Sequence, residues 1–228
     1  MTSFAENHND ADNIDGCVLL IMNCEKYANK AERQKRTWLK GLRLPHYHVL
    51  GDPDLEDDYV FQDDQHILWV NTKDDYNSLP KKVVASYDAV RNRFRDLKYV
   101  FKTDDDQMLQ SHDANAFFQR ISAMLARTEK ENYRIHYAGN IVNVNQAYLS
   151  RYHTIHPELP IDLPVMPTKY CSGRFYLLSE EAVDDLLKKR HYIEKEFLED
   201  YAVGYYLDDN YKVNMKHLAT NIFFKDFE

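Results

Sequence analysis

Apolar runs and amphipathic stretches alternate along the first hundred residues. Cys17-Val18-Leu19-Leu20-Ile21-Met22 is apolar throughout, the mark of a strand buried on both faces. The basic segment 26–42 favours helix, with Gly41 and Pro45 closing it. Segments 46–50 and 66–70 read as a second and third strand, and the acidic stretch 52–64 between them as a loop. Over 79–97, Val83, Tyr87, Val90 and Phe94 recur at helical spacing. They predict an amphipathic helix with Pro80 in its first turn. Segment 99–103 is a fourth strand, and it ends in Asp104, Asp105 and Asp106. Such alternation predicts an α/β chain with a mainly parallel central sheet flanked by helices. Ligands of such sheets bind beyond the carboxyl ends of the strands, which is where the three acids stand.

The second half is less regular. Segment 114–127 reads as a helix, and 134–148 as a pair of strands around Gly139-Asn140. Segment 151–167 holds four of the seven prolines and reads as a long irregular loop. Segment 170–178 is a strand with an early kink at Ser172-Gly173. Ser179 is placed to cap the next helix, running to Arg190, with Glu180 and Glu181 in its first turn. A short helix over 199–207 and a last strand over 213–218 complete the pattern. Residues 1–14 are polar and without pattern, so a disordered arm is expected there, followed by one domain over 15–228.

Composition narrows the classes. Hydrophobic residues make up 44% of the 228, enough for a sizeable core. The net charge of −8 argues against a nucleic-acid partner. Three cysteines, Cys17, Cys24 and Cys171, form no CxxC pair. No run approaches the ~18 apolar residues of a membrane span. The expectation is a soluble, intracellular protein. There is no GxxxxGK[ST], HExxH or GxSxG. His153-x-x-His156 has helical spacing, but Pro157 and its neighbouring prolines argue against a helix there, so no metal is assigned to it.

Three adjacent carboxylates after a buried strand repel one another unless a cation neutralises them. Asp104 and Asp106 are two apart, and an extended backbone points both to one side. The pair can thus face one divalent ion and the phosphates it carries, or form a solvated acidic turn. The residues alone also admit a Mg²⁺-dependent nucleotidyltransferase or phosphohydrolase, or a non-catalytic carbohydrate-binding protein.

Further segments fall into a series: Lys35-x-Thr37-Trp38, Asp74-x-Tyr76-x-x-Leu79-x-x-Lys82, Lys102-Thr103-Asp104-Asp105-Asp106, Tyr170-Cys171-Ser172-Gly173, and Glu199-Asp200 before Val203-Gly204. In order and spacing this resembles the β-1,3-galactosyltransferase, N-acetylglucosaminyltransferase and fringe-like superfamily. The resemblance implies a GT-A fold and an inverting, metal-dependent transfer of a hexose or N-acetylhexosamine. The donor would be a UDP-sugar, the acceptor a carbohydrate hydroxyl, and the linkage β-1,3. Mn²⁺ is the implied ion, with Mg²⁺ the alternative. The implied metal ligands are Asp104, Asp106 and His217, with Asp105 toward the donor's ribose or sugar. Asp200 is the implied base, supported by Glu199. Lys35 or Arg36 would meet the nucleotide phosphates, and Trp38 belongs to the core. Asp74 is placed at the base or ribose, or as a helix cap, and Lys82 at a phosphate or in solvent. Ser172-Gly173 would sit beside the diphosphate, or form a bulge. Trp69, Tyr137 and Tyr148 would pack in the core or stack on acceptor sugars.

Overall fold

The computed structural model of the chain describes residues 14–227. The first half runs β1 (Cys17–Met22), α1 (Ala28–Arg36), β2 (His46–Gly51), β3 (Tyr59–Gln62), β4 (Ile67–Val70), α2 (Leu79–Arg93) and β5 (Tyr99–Asp104). After the acids come β6 (Gln107–Leu109), α3 (Ala114–Lys130), β7 (Tyr137–Val144), β8 (Tyr148–Ser150), β9 (Leu163–Val165) and the long β10 (Thr168–Ser179). The chain then forms α4 (Glu180–Lys188), α5 (Arg190–Ile193), α6 (Glu199–Tyr206), α7 (Asp209–Lys212), β11 (Lys216–His217), α8 (Thr220–Phe223) and β12 (Phe224–Asp226).

One eight-stranded sheet organises these elements in the order β11-β7-β10-β5-β1-β2-β4-β3. β10 and β3 run antiparallel to their neighbours, and the other pairings are parallel. The expected α/β class with a mainly parallel sheet is borne out. Period-two alternation explains why β1 is apolar throughout. Val18, Leu20 and Met22 enter a core beneath α2, α4 and α6, with Val83, Val90, Leu186 and Val203. Cys17, Leu19 and Ile21 enter a second core on the other face, with Trp38, Phe101, Phe118 and Phe224.

Several boundaries differ from the sequence reading. The acidic stretch 52–64 contains β3, whose Tyr59 and Phe61 pack on the first core. Its flanking acids hide the alternation. The basic helix stops at Arg36, where the Thr37 hydroxyl donates to the Arg33 carbonyl at 2.7 Å and Trp38 turns into the second core. α2 stops at Arg93, because Phe94 turns extended and joins Tyr47 and Phe61. Gly139 is no turn. It lies inside β7, where a Cβ would stand 2.9 Å from the Phe175 carbonyl oxygen. The proline-rich stretch contains β9, paired with β8 as a small hairpin. Only Lys216 and His217 form the last strand expected over 213–218. The arm expected over 1–14 lies outside the described residues except for Ile14, which is buried in the second core.

Candidate active site

The site grows from the carboxyl end of β5. Phe101 and Thr103 face one side of the sheet, so Lys102 faces the other and is fully buried. A buried ammonium must be paired, and this one is paired with two carboxylates. Lys102 Nζ lies 2.7 Å from Asp104 Oδ1 and 2.9 Å from Glu199 Oε2, and donates to the Gly173 carbonyl at 3.0 Å. Glu199 also accepts from the Tyr176 hydroxyl, which lies 2.6 Å from the Tyr87 hydroxyl. One cation thus joins β5, the β10 bulge and the first turn of α6.

Gly173 is at the centre of that junction. The β10–β7 register shifts between Cys171 and Tyr176, so the expected kink is a bulge. The Gly173 N–H donates to Asp200 Oδ2 at 3.0 Å, and the Tyr201 N–H to Asp200 Oδ1 at 2.8 Å. A Cβ on Gly173 would come within 3.2 Å of Lys102 Nζ and 3.5 Å of Asp104 Oδ2. Glycine lets the backbone pass between the acids of β5 and those of α6.

Asp104 and Asp105 both titrate high, at about 6. Burial raises each most, opposed by Lys102 for Asp104 and by Lys30 for Asp105. Glu199 and Asp200 are also raised, first by burial and against the pull of Lys102. Five carboxyl groups, Asp104, Asp105, Asp106, Glu199 and Asp200, meet two lysines, Lys102 and Lys30, an imbalance that suits a cation.

An oxygen-only set fits such an ion in part. Asp106 Oδ1 accepts from Gln107 Nε2 at 2.8 Å, leaving Oδ2 without a partner among the described residues. The same Nε2 donates to Asp226 Oδ1 at 2.7 Å, so β12 delivers a further carboxylate beside Asp106. His217 is not part of this group. It is exposed on the edge strand β11, in register through Gly139 and Tyr176 with Lys102, so three strand spacings (~14 Å) separate it from β5. Its Nδ1 accepts from the Ile141 N–H at 3.4 Å. Among the described residues no three His, Cys, Asp or Glu converge to hold a metal alone. One or two carboxylates sharing an ion with substrate phosphates is the arrangement the acids suit. Without imidazole, the preference for Mn²⁺ over Mg²⁺ loses its basis.

Other expected residues take different places. Lys35 pairs with Glu32 at 3.1 Å and Arg36 is exposed on α1. Lys30 is the α1 lysine at the acids, 3.3 Å from Asp105. Asp74 accepts from the Gly51 and Glu25 N–H groups and pairs with Lys82, clasping the ends of β1 and β2. Lys82 is buried and donates to the Asn23 carbonyl, so it is neither solvated nor free for a phosphate. Asp75 caps the 3-10 turn of residues 76–78 that leads into α2, accepting from the Ser78 N–H. Ser172 is half-buried in the bulge. Trp69 is half-buried and donates to Gln62, Tyr137 is buried, and Tyr148 is exposed.

The sequence reading missed Lys102, Lys30, Tyr76 and Asp226 as site residues. Lys102 carried a signal: a charge inside an apolar strand run demands a partner. Tyr76 carried none. Its hydroxyl is pushed up by burial and then by Asp200 and Asp104, and its ring stacks on His156 at 4.2 Å. The proline-rich stretch is thereby fastened beside the acids.

A family model described as galactosyltransferase matches residues 29–219, a span that takes in β5, the bulge and α6. The chain belongs to the galactosyltransferase family. The resemblance to the β-1,3-glycosyltransferases, and with it the expectation of a glycosyltransferase, is borne out. The human protein named UDP-GalNAc:beta-1,3-N-acetylgalactosaminyltransferase 1 is 26% identical over 204 residues, covering 84% of this chain and 57% of its own length. Its Pongo abelii and Rattus norvegicus counterparts are also 26% identical. The chain thus spans little more than half the length of these relatives. This overturns the expectation of a soluble intracellular protein. That expectation rested on a missing apolar segment, an absence that says nothing when the chain spans only 57% of these relatives. No helix among the described residues is long and apolar enough to cross a membrane, and that fact assigns no compartment.

Proposed function

We propose that this galactosyltransferase-family chain has a GT-A fold and transfers a hexose or N-acetylhexosamine from a UDP-sugar to a carbohydrate hydroxyl. Transfer would invert the anomeric carbon and form the β-1,3 linkage named in its relatives. One observation carries this reading: the Gly173 bulge brings the acids of β5 and Asp200 of α6 to the two sides of a single residue. Donor and acceptor groups would meet there.

Asp200 takes the proton of the attacking hydroxyl. The new bond forms between that oxygen and the anomeric carbon as the carbon–diphosphate bond breaks, and UDP leaves with the electron pair. Two backbone N–H groups fix the carboxylate, and burial raises its affinity for a proton. Glu199 does not face the acceptor: it anchors α6 through Lys102 and Tyr176. Asp106 and Asp104 would hold a divalent ion, which when bound offsets the charge developing on the leaving diphosphate. Tyr76 and His156 wall the acceptor side.

The test is titration of UDP into the metal-stripped protein, with and without Mn²⁺ or Mg²⁺. Binding that requires the ion and disappears in Asp106→Ala is expected. Asp200→Ala should keep UDP binding while transfer falls ~10²–10⁴-fold, the usual share of a general base. Near-normal turnover in Asp200→Ala would remove it as the base, and absence of UDP binding would sink the donor assignment.

A further inference from the structure

α6 carries Asp200 at one end and Tyr205 at the other, five residues or ~7.5 Å along the axis. At the Tyr205 end a cavity of about 940 Å³ opens between β7, β10, α5 and α7. Its frame is held by two lysines. Lys189 Nζ pairs with Asp185 at 2.8 Å and Asp208 at 2.6 Å, and donates to the Tyr206 carbonyl at 2.9 Å. Lys212 pairs with Asp209 at 2.9 Å and donates to the Gly204 carbonyl at 3.0 Å.

The groups facing the opening are left unused. The side chains of Asn143, Asn145 and Lys169, and the hydroxyls of Tyr192 and Tyr205, have no hydrogen-bond partner among the described residues. Tyr192 is 50% exposed and Tyr205 38%. Each ring is backed by another. Tyr192 lies nearly parallel to Tyr206 at 5.8 Å, and Tyr205 stacks on Tyr201 at 5.3 Å with the planes 23° apart. The backing holds each ring flat, and the exposure leaves part of it open. Flat rings beside amide donors and acceptors match a pyranose, which offers a C–H face and a rim of hydroxyls. Charge argues for a neutral ligand. Lys189 and Lys212 are already paired, and the remaining cavity lysine, Lys169, leaves no net charge because three lysines meet the three carboxylates of Asp185, Asp208 and Asp209.

We infer that this cavity is a subsite for a neutral oligosaccharide, the part of the acceptor glycan remote from the reacting hydroxyl. The inference rests on the carbohydrate-acceptor reading above. It predicts that discrimination between short and long acceptors is made here.

The probes are neutral tetrasaccharides ending in galactose, glucose, mannose or N-acetylglucosamine, each compared with its methyl glycoside. Binding is measured by calorimetry without donor, on wild type, Tyr192→Ala/Tyr205→Ala and Asp200→Asn. One tetrasaccharide should bind wild type and Asp200→Asn at least tenfold tighter than its methyl glycoside, and the tyrosine variant should lose that margin. If the tyrosine variant does not fold, Asn143→Ala/Asn145→Ala, at two exposed positions, should reduce the margin instead. A margin that survives these substitutions, or no margin for any tetrasaccharide, overturns the subsite. UDP titration on the same samples separates the two readings. Lost UDP binding strikes the transferase reading, whereas a missing margin with UDP binding intact strikes the subsite alone.

Discussion

Lys102 stands where the chain can least tolerate an unpaired charge. Its Nζ is shared between Asp104 and Glu199, with side-chain exposures of 1% for Lys102 and 3% for Glu199. Removing one partner of a buried pair leaves the other uncompensated, at a typical cost of ~3–5 kcal/mol. Lys102→Met should therefore lower unfolding stability by about that amount in denaturant titration. Glu199→Gln in the Lys102→Met background should restore part of it, because the orphaned charge is gone. Equal losses in the single and double variants would show that the pair is not the source. At this scale the sequence was half legible. The acids and Gly173 announced themselves by pattern, whereas the pairing of Lys102 with Glu199 joins residues 97 apart in the chain.

Among the elements, α6 lies in close contact with β10. Gly204 lies so close to β10 that a Cβ would stand 2.2 Å from Tyr170 Cβ and 2.8 Å from the Lys169 carbonyl oxygen. Neither atom is the far end of a flexible side chain. Gly204→Ala must lift α6 from β10, with an overpacking cost of ~1–3 kcal/mol. It should also lower kcat, because Asp200 rides on the first turn of the same helix. Thermal unfolding and steady-state kinetics check both effects. Destabilisation with unchanged kcat would show that Asp200 is positioned by the bulge alone. The β10 bulge is the complementary element. Its kink was readable from Ser172-Gly173, but its purpose emerges only where Asp200 accepts the Gly173 N–H.

For the whole molecule, the acid cluster links stability, pH and cation binding. Asp104 and Asp105 titrate at about 6, above the ordinary carboxylate value of 3.8. The folded protein therefore binds more protons than the unfolded chain between those values. Their contribution favours folding at low pH and is lost as pH rises from about 4 through 6. A divalent ion competes with those protons. Calorimetric titration of Mg²⁺ or Mn²⁺ should show affinity falling as pH drops through about 6. Stabilisation by the ion should likewise be larger at pH 7 than at pH 5. Affinity that stays flat across this window would place the ion away from these carboxylates.

The sequence by itself determined the strand–helix alternation, the two-sided burial of β1, the acids at the end of β5 and the family to which the chain belongs. These are local signals, set by periodicity and by the composition of short segments. Tertiary structure decided the rest. It turned Lys82 and Asp74 into a buried clasp, left His217 on the edge strand, put Lys30 rather than Lys35 beside Asp105, and brought Asp226 beside Asp106. Each outcome depends on which strands neighbour one another and in what register. No stretch of sequence encodes that by its own pattern, because the partner is supplied by a distant segment.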